Sequence, residues 1–165
     1  MRRREFIAGL GGALAMPAAL RAQQSAPVLG YLAFSSIENP SGPFPAVLAA
    51  LKQAGYEEGQ TLRVETRYAN FQLDRVPMLA EELVKLPCSV IVSSGGPRPA
   101  LALKKLTSTI PVVFAPIPDP VQSGLVVSLN RPGANITGVA AMTIELDPKR
   151  IELLHDMTSR PVHWA

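Results

Sequence analysis

The chain has 165 residues, with 16 Lys and Arg against 13 Asp and Glu. Four of those cations and one anion lie in the first 22 residues, which leaves twelve of each sign from Gln23 onward. The excess positive charge therefore belongs to the N-terminal segment. The rest lacks the clustered Lys and Arg that neutralise phosphates, which argues against a nucleic-acid partner. A hydrophobic share of 47% with 18% charged residues is a globular balance, enough for one domain with a real core. Aromatic residues make up 5%, too few for a stacking platform on single-stranded nucleic acid. The single cysteine, Cys88, excludes an intrachain disulfide and a Cys-rich zinc site, and no metal or cofactor is expected.

The N-terminus is built like an address. Arg2-Arg3-Arg4 is a positive start, Ala8 to Met16 is short and moderately apolar, and Pro17 to Ala22 is rich in small residues. These are the three parts of an export signal, and the apolar part is too short and glycine-rich to span a bilayer. Arg3-Arg4 ahead of Phe6 resembles a twin-arginine signal, although Arg2 stands where that motif has Ser or Thr and no Lys follows Ile7. Residues 1–22 are thus predicted to direct the chain to the periplasm, with cleavage near Ala22. The alternative is a basic, Ala-rich start on a cytoplasmic protein.

The remainder alternates strand and helix. Val28–Phe34 is an apolar run closed by Ser35-Ser36, as in a strand covered on both faces. Three prolines and a glycine between Glu38 and Pro45 make a loop. Helical spacing of Phe44, Val47, Leu48 and Leu51 follows, with Pro45 in the first turn and Gly55 as the left-handed stop. Leu62–Tyr68 alternates apolar and polar, which suits an edge strand. Asp74 begins a helix to Lys85, whose apolar face is Val76, Leu79, Ala80 and Leu83.

Cys88–Ser93 is the third strand, Ser94–Pro97 a turn, and Ala100–Leu106 a short helix with Lys104 and Lys105 at its end. The apolar neighbours of Cys88 make it a small buried side chain rather than a reactive thiol. Ile110–Ala115 is a fourth strand with Pro111 near its start. Asp119-Pro120 is expected to cap a short helix through Leu129. After the turn Asn130–Asn135 comes a fifth strand, Ile136–Met142, and a last helix from Asp147-Pro148 to about Met157. Short connections between alternating elements imply right-handed crossovers and a parallel sheet. The predicted fold is a doubly wound α/β layer of about five strands, flavodoxin-like, in the order 2-1-3-4-5.

In such a sheet a ligand sits beyond the carboxyl ends of the strands, where strand order reverses. Strands one and three flank that point, and their exits are Ser35-Ser36 and Ser94-Gly95-Gly96. The glycine turn leads into a helix, so backbone amides and the positive dipole end would favour a carboxylate by roughly 0.3–1 kcal/mol. A plain tight turn is the bland reading. Phe71 after strand two is either an aromatic wall for a ligand or a lid over the core. Asp119 after strand four is first a helix cap, and Thr143 after strand five is a further candidate. No catalytic constellation is present: His155 and His163 are both near the C-terminus, and no G-x-S-x-G, Walker loop or G-x-G-x-x-G occurs. The expected role is that of a binder, not an enzyme.

From Arg2 to about Asp156 the chain resembles the N-terminal half of ABC transporter substrate-binding proteins related to the tryptophan/tyrosine-binding periplasmic proteins. The matching pieces are the Arg2–Gly12 start, Leu51–Gln60, Ile110–Phe114, Asp119-Pro120, Ser128–Val139 and Lys149–His155, with Ser128–Val139 the most specific. The resemblance implies one lobe of a two-lobed, type I periplasmic-binding-protein fold, an amino acid or related carboxylate clamped between lobes, and an ABC permease as partner. By the same analogy Ser35, Ser36, Phe71, Ser94, Gly95, Gly96 and Asp119 face the ligand. The family is about twice this length, so residues 23–157 are predicted to be its N-terminal lobe and 158–165 an atypical, truncated tail. With one wall, weak binding or none is predicted. Arg98, beside the glycine turn, would either bind a carboxylate or block the cleft. The readings from other classes are a small flavodoxin-like cytoplasmic enzyme or regulator, and a non-functional remnant. The residues leave oligomeric state open.

Overall fold

The computed structural model describes residues 26–38, 42–141 and 146–157. Five parallel strands, β1 (Val28–Ala33), β2 (Arg63–Tyr68), β3 (Cys88–Ser94), β4 (Val112–Ile117) and β5 (Ile136–Ala140), form one sheet in the order β2-β1-β3-β4-β5. Helices α1 (Phe44–Gln53), α2 (Arg75–Lys85), α3 (Pro97–Leu106) and α4 (Asp147–Met157) complete the alternation. This is the order and the parallel sense that the pattern of apolar runs implies. The proposed signal, the tail after Met157 and Thr143 lie outside the described residues.

Strand alternation sorts the side chains onto two faces. Val28 and Leu32 of β1, Ile91 of β3, and Val112 and Phe114 of β4 point to one face, where Val76, Leu79, Ala80 and Leu83 of α2 and Ala100 and Leu103 of α3 close over them. Leu29, Tyr31, Ala33 and Val92 point to the other, where half-buried Phe44, Leu48 and Leu51 of α1 cover them. No residue of α1 is fully buried. At the amino end of β3 the register slips past Ser89, so Cys88 and Ile91 both serve the α2–α3 face. The Cys88 thiol is buried, lies 3.5 Å from the Leu83 carbonyl, and is pushed up from its ordinary value by desolvation.

Two elements differ from their sequence reading. Helix α3 starts at Pro97 instead of Ala100, because two prolines in the first turn cost a helix nothing there: their missing N–H groups have no intrahelical partner to lose. The expected helix from Asp119 to Leu129 is absent. Asp119 Oδ1 accepts a 2.8 Å bond from the Gln122 amide and starts a single turn, which ends at Gly124 (φ 73°). The chain then runs irregularly, with Leu125 and Val126 sunk into the core. Lys104 Nζ donates to the Gly124 carbonyl at 2.6 Å, so that lysine ties α3 to this connection. Helix α4 has no buried residue, and Ile151, Leu153, Leu154 and Met157 are exposed.

Candidate functional site

Because every strand is parallel, all five carboxyl ends share one rim. The register sets Ala33 of β1 beside both Tyr68 of β2 and Ser94 of β3, at the reversal of strand order. Beyond that row the Phe34 amide donates to the Ser94 carbonyl at 3.1 Å. Ser35 is buried and Ser36 half-buried. Both serine-bearing exits therefore stand on the same rim, in adjacent strands.

Ser94 is the last residue of β3 rather than part of the turn, and it is buried. Its Oγ lies 2.6 Å from Tyr31 Oη, a buried hydrogen bond between strands on the α1 side. The Tyr31 ring stacks on Phe44 at 3.9 Å between centroids and meets the edge of Tyr68 at 6.0 Å. Burial raises the Tyr31 phenol above its ordinary value of 10.0, against the opposing effect of the Ser94 bond, so Tyr31 is a neutral hydroxyl at physiological pH. Gly42, returning from the β1–α1 connection, stands over the pair: a Cβ there would be 3.3 Å from Tyr31 Oη and 3.6 Å from Ser94 Oγ.

The next two residues have to be glycine. Gly95 has φ 88°, and a Cβ on it would come within 2.6 Å of Phe34 Cβ. Gly96 sits at φ 101°, ψ −174°, a region that essentially only glycine occupies. Pro97 and Pro99 have no N–H, so the donors at this helix start reduce to the amides of Gly95, Gly96 and Arg98. The dipole end is as the sequence suggests, with fewer amides around it.

Phe71 is held by a strained turn. Asn70 and Phe71 both adopt left-handed φ, 53° and 59°, which is costly for an aromatic residue. Three bonds enforce it: Ala69 N to Ala33 O at 2.8 Å, Asn70 N to Ser35 O at 3.1 Å, and Phe71 N to Phe34 O at 2.8 Å. The ring stands 55% exposed, edge-on to Phe34 at 5.7 Å. The ring is thus exposed on the rim, beside the β1 exit.

Asp119 shares the rim but not this cluster. Its side chain caps the turn through Gln122, and its carbonyl accepts from Ser123 Oγ at 3.0 Å. Arg98 is exposed and lines a groove of about 400 Å³ between α2 and α3, with Leu73, Val76, Glu81 and Lys105. That groove takes in none of the serine or glycine residues at the sheet's switch point. Tyr31, Phe34 and Gly42 were not singled out from the sequence. The available signal was Tyr31: a tyrosine inside an otherwise aliphatic buried strand has to find a partner for its hydroxyl. Among the described residues no group of three or more His, Cys, Asp and Glu is placed to hold a metal, and no helix is long and apolar enough to cross a membrane.

Comparison with known proteins places the chain in a family. The family model described as ABC transporter substrate binding protein matches residues 43–161. A tyrosine-binding protein of Clostridioides difficile is 28% identical over 113 residues, covering 68% of this chain and 32% of that protein. Among solved structures, an ABC domain from Streptococcus pneumonia in complex with L-Trp superposes with TM-score 0.62 at 26% identity, over 70% of this chain and 39% of that one. A conserved domain protein of Vibrio cholerae superposes with TM-score 0.72 at 28% identity, over 81% of this chain and 44% of that one. The chain thus spans about a third of the length of the curated relative and less than half of these solved ones.

Proposed function

The chain belongs to the family of ABC transporter substrate-binding proteins, and from that premise we propose that it is the N-terminal lobe of a solute-binding component for an ABC importer, taking an aromatic amino acid or a closely related carboxylate. The observation that carries this reading is the meeting of the β1 and β3 exits at the strand-order reversal, with the Phe71 ring held out beside them. An aromatic side chain finds Phe34 and Phe71 as a wall, and the carboxylate finds the amides of Gly95 and Gly96 at the positive end of α3. The names of the L-Trp-bound and tyrosine-binding relatives agree in chemistry with such a rim. Ser35, Ser36, Phe71, Ser94, Gly95 and Gly96 form the site in this reading. Asp119, on the same rim, belongs to its outer edge.

The role involves no bond-making. The raised thiol of Cys88 and raised phenol of Tyr31 are the reverse of what a nucleophile or general base needs at neutral pH. Residues 1–22 act in this reading as the export signal, the site of action is the periplasm, and delivery is to a membrane permease. One lobe offers one wall, whereas a bound solute is normally 70–90% enclosed, so affinity is low unless a second lobe closes on it.

Thermal melting of the chain with L-tryptophan, L-tyrosine and aromatic acids at millimolar concentration tests the reading. A ligand present at a concentration equal to a millimolar Kd adds about 0.4 kcal/mol to folding stability, a small upward shift. No shift with any of them removes the binding assignment. Mass spectrometry of periplasmic extract tests the export part: the mature chain starts at Gln23, and an intact Met1 terminus in the cytosol refutes it.

A further inference from the structure

We propose that Tyr31 is a positioning residue for the solute site, its hydroxyl fixing Ser94 and through it the two glycine amides that receive the solute carboxylate; this rests on the solute-binding reading above. Tyr31 is on β1, an interior strand, two residues before its carboxyl end, and its side chain is buried beneath the rim. Its ring is locked from two sides by Phe44 and Tyr68, so its oxygen has a defined place. A phenol is the better donor of the two hydroxyls and the poorer acceptor, because its lone pair is shared with the ring. In this proposal Tyr31 donates across the 2.6 Å to Ser94 Oγ, a separation that fits a bond in either direction.

The consequence is felt one residue further on. Ser94 is held twice, by Tyr31 at its side chain and by the Phe34 amide at its carbonyl. With Ser94 fixed, Gly95 and Gly96 are left to the torsions that only glycine adopts, and among the described residues neither amide takes part in the backbone bonds that tie the rim together. Without the hydroxyl, one of the two anchors of this turn is lost, and glycine, with no side chain, has nothing else to hold its angle. Ligand sites lose affinity when their supporting contacts loosen, because the amides must then be ordered at the moment of binding. Gly42 lies over the pair, where a Cβ would be tight against the Tyr31 oxygen and in ordinary contact with that of Ser94.

The test is a titration of the ¹⁵N-labelled full chain with L-tryptophan and L-tyrosine and, in parallel, with tryptamine and tyramine, which lack the carboxylate. The acids move the Gly95 and Gly96 amide signals and the amines do not. Tyr31→Phe keeps the ring and its packing, weakens both acids about tenfold and narrows the preference for acid over amine. Ser94→Ala reproduces that loss, and the double variant adds little to it, as expected of one unit. Tyr56→Phe, which removes an exposed hydroxyl from the connection ahead of β2, at the other end of the sheet, leaves affinity unchanged. A Tyr31→Phe chain that melts lower but binds the acids with unaltered affinity and preference overturns the proposal alone. An unmodified chain that responds to none of the four compounds overturns the binding reading and this one with it.

Discussion

Ser93 and Ser94 are neighbours on the same strand with the same side chain, both fully enclosed, and they meet opposite conditions. Ser93 points to the face closed by α2 and α3, and its Oγ has no hydrogen-bond partner among the described residues. Ser94 points to the face closed by α1 alone, and it is bonded to Tyr31. The difference extends to the faces themselves. One is a tight aliphatic layer in which Leu32, Leu83, Ile91, Leu103 and Val112 are wholly buried. The other is thinner and aromatic, with Phe44, Tyr31 and Tyr68 in contact and every α1 side chain partly open. The sheet thus separates its tasks: the dense face supplies stability, and the thinner face supplies polar anchoring to the rim above it.

The largest effect that tests this division is in the dense face. Leu103→Ala removes a fully buried side chain from between α3 and the sheet and is expected to cost about 3 kcal/mol. Leu48→Ala, at a half-buried position on α1, is expected to cost about 1 kcal/mol, since less apolar area leaves water there to begin with. Urea unfolding of the two variants measures both, and equal losses would mean that the faces are not distinct. Gly95→Ala comes next, at about 2–3 kcal/mol, from a positive φ and a collision with Phe34. Its solute response should vanish along with the turn's geometry.

The paired serines give a smaller and more pointed contrast. Ser94→Ala leaves the Tyr31 hydroxyl buried without an acceptor, and is expected to destabilise by about 1–2 kcal/mol. Ser93→Ala removes an oxygen that has no partner, and is expected to be neutral or stabilising by up to about 1 kcal/mol. Thermal melts of both variants decide it. A matching loss in Ser93→Ala would show that the two hydroxyls contribute alike.

What could be read from the residues alone follows from how local each signal is. The α2 face, Val76, Leu79, Ala80 and Leu83, repeats at helical spacing within one element, and those four are its buried residues. Strand order was legible because short βα connections leave a parallel sheet few alternatives, and the two serine exits were placed on one rim by the same rule. The missing helix after Asp119 was a competition that no local rule decides. Asp-Pro is a good start, yet Gly124 and burial of Leu125 and Val126 against the core were worth more than further helical turns. The Tyr31–Ser94 bond joins residues 63 apart, and the left-handed pair Asn70-Phe71 is held by carbonyls of another strand. The first shows only as a tyrosine in an aliphatic strand, which does not name its partner, and the second leaves no mark on its own stretch of sequence.

The smallest effect concerns the open edge of the sheet. Along β2, the side chains that point away from α1 are charged: Arg63 donates to Glu65 Oε1 at 2.9 and 2.6 Å, and Arg67 Nε reaches Glu82 of α2 at 2.7 Å. An edge strand lined with charges is also protected from pairing with another chain. The Arg63 hydrogen bonds hold the Glu65 carboxyl below its ordinary value of 4.5; desolvation is the next largest effect and opposes them, and the charges of Arg63 and Arg67 and the Arg67 hydrogen bond add smaller help. The folded chain therefore releases that proton more readily than the unfolded one. Its contribution to stability is complete above about pH 5, shrinks as pH falls below 4.5, and is gone once Glu65 is protonated in the folded state too. Glu65→Gln should accordingly melt slightly lower than the unmodified chain at pH 7 and together with it near pH 3. The gap at pH 7 should close in 1 M salt, since these side chains meet solvent and their pairing is screened. A gap that persists unchanged through acid and salt would mean that Glu65 acts through packing of its stem, and the charged row along β2 would then belong with the dense face as a structural layer.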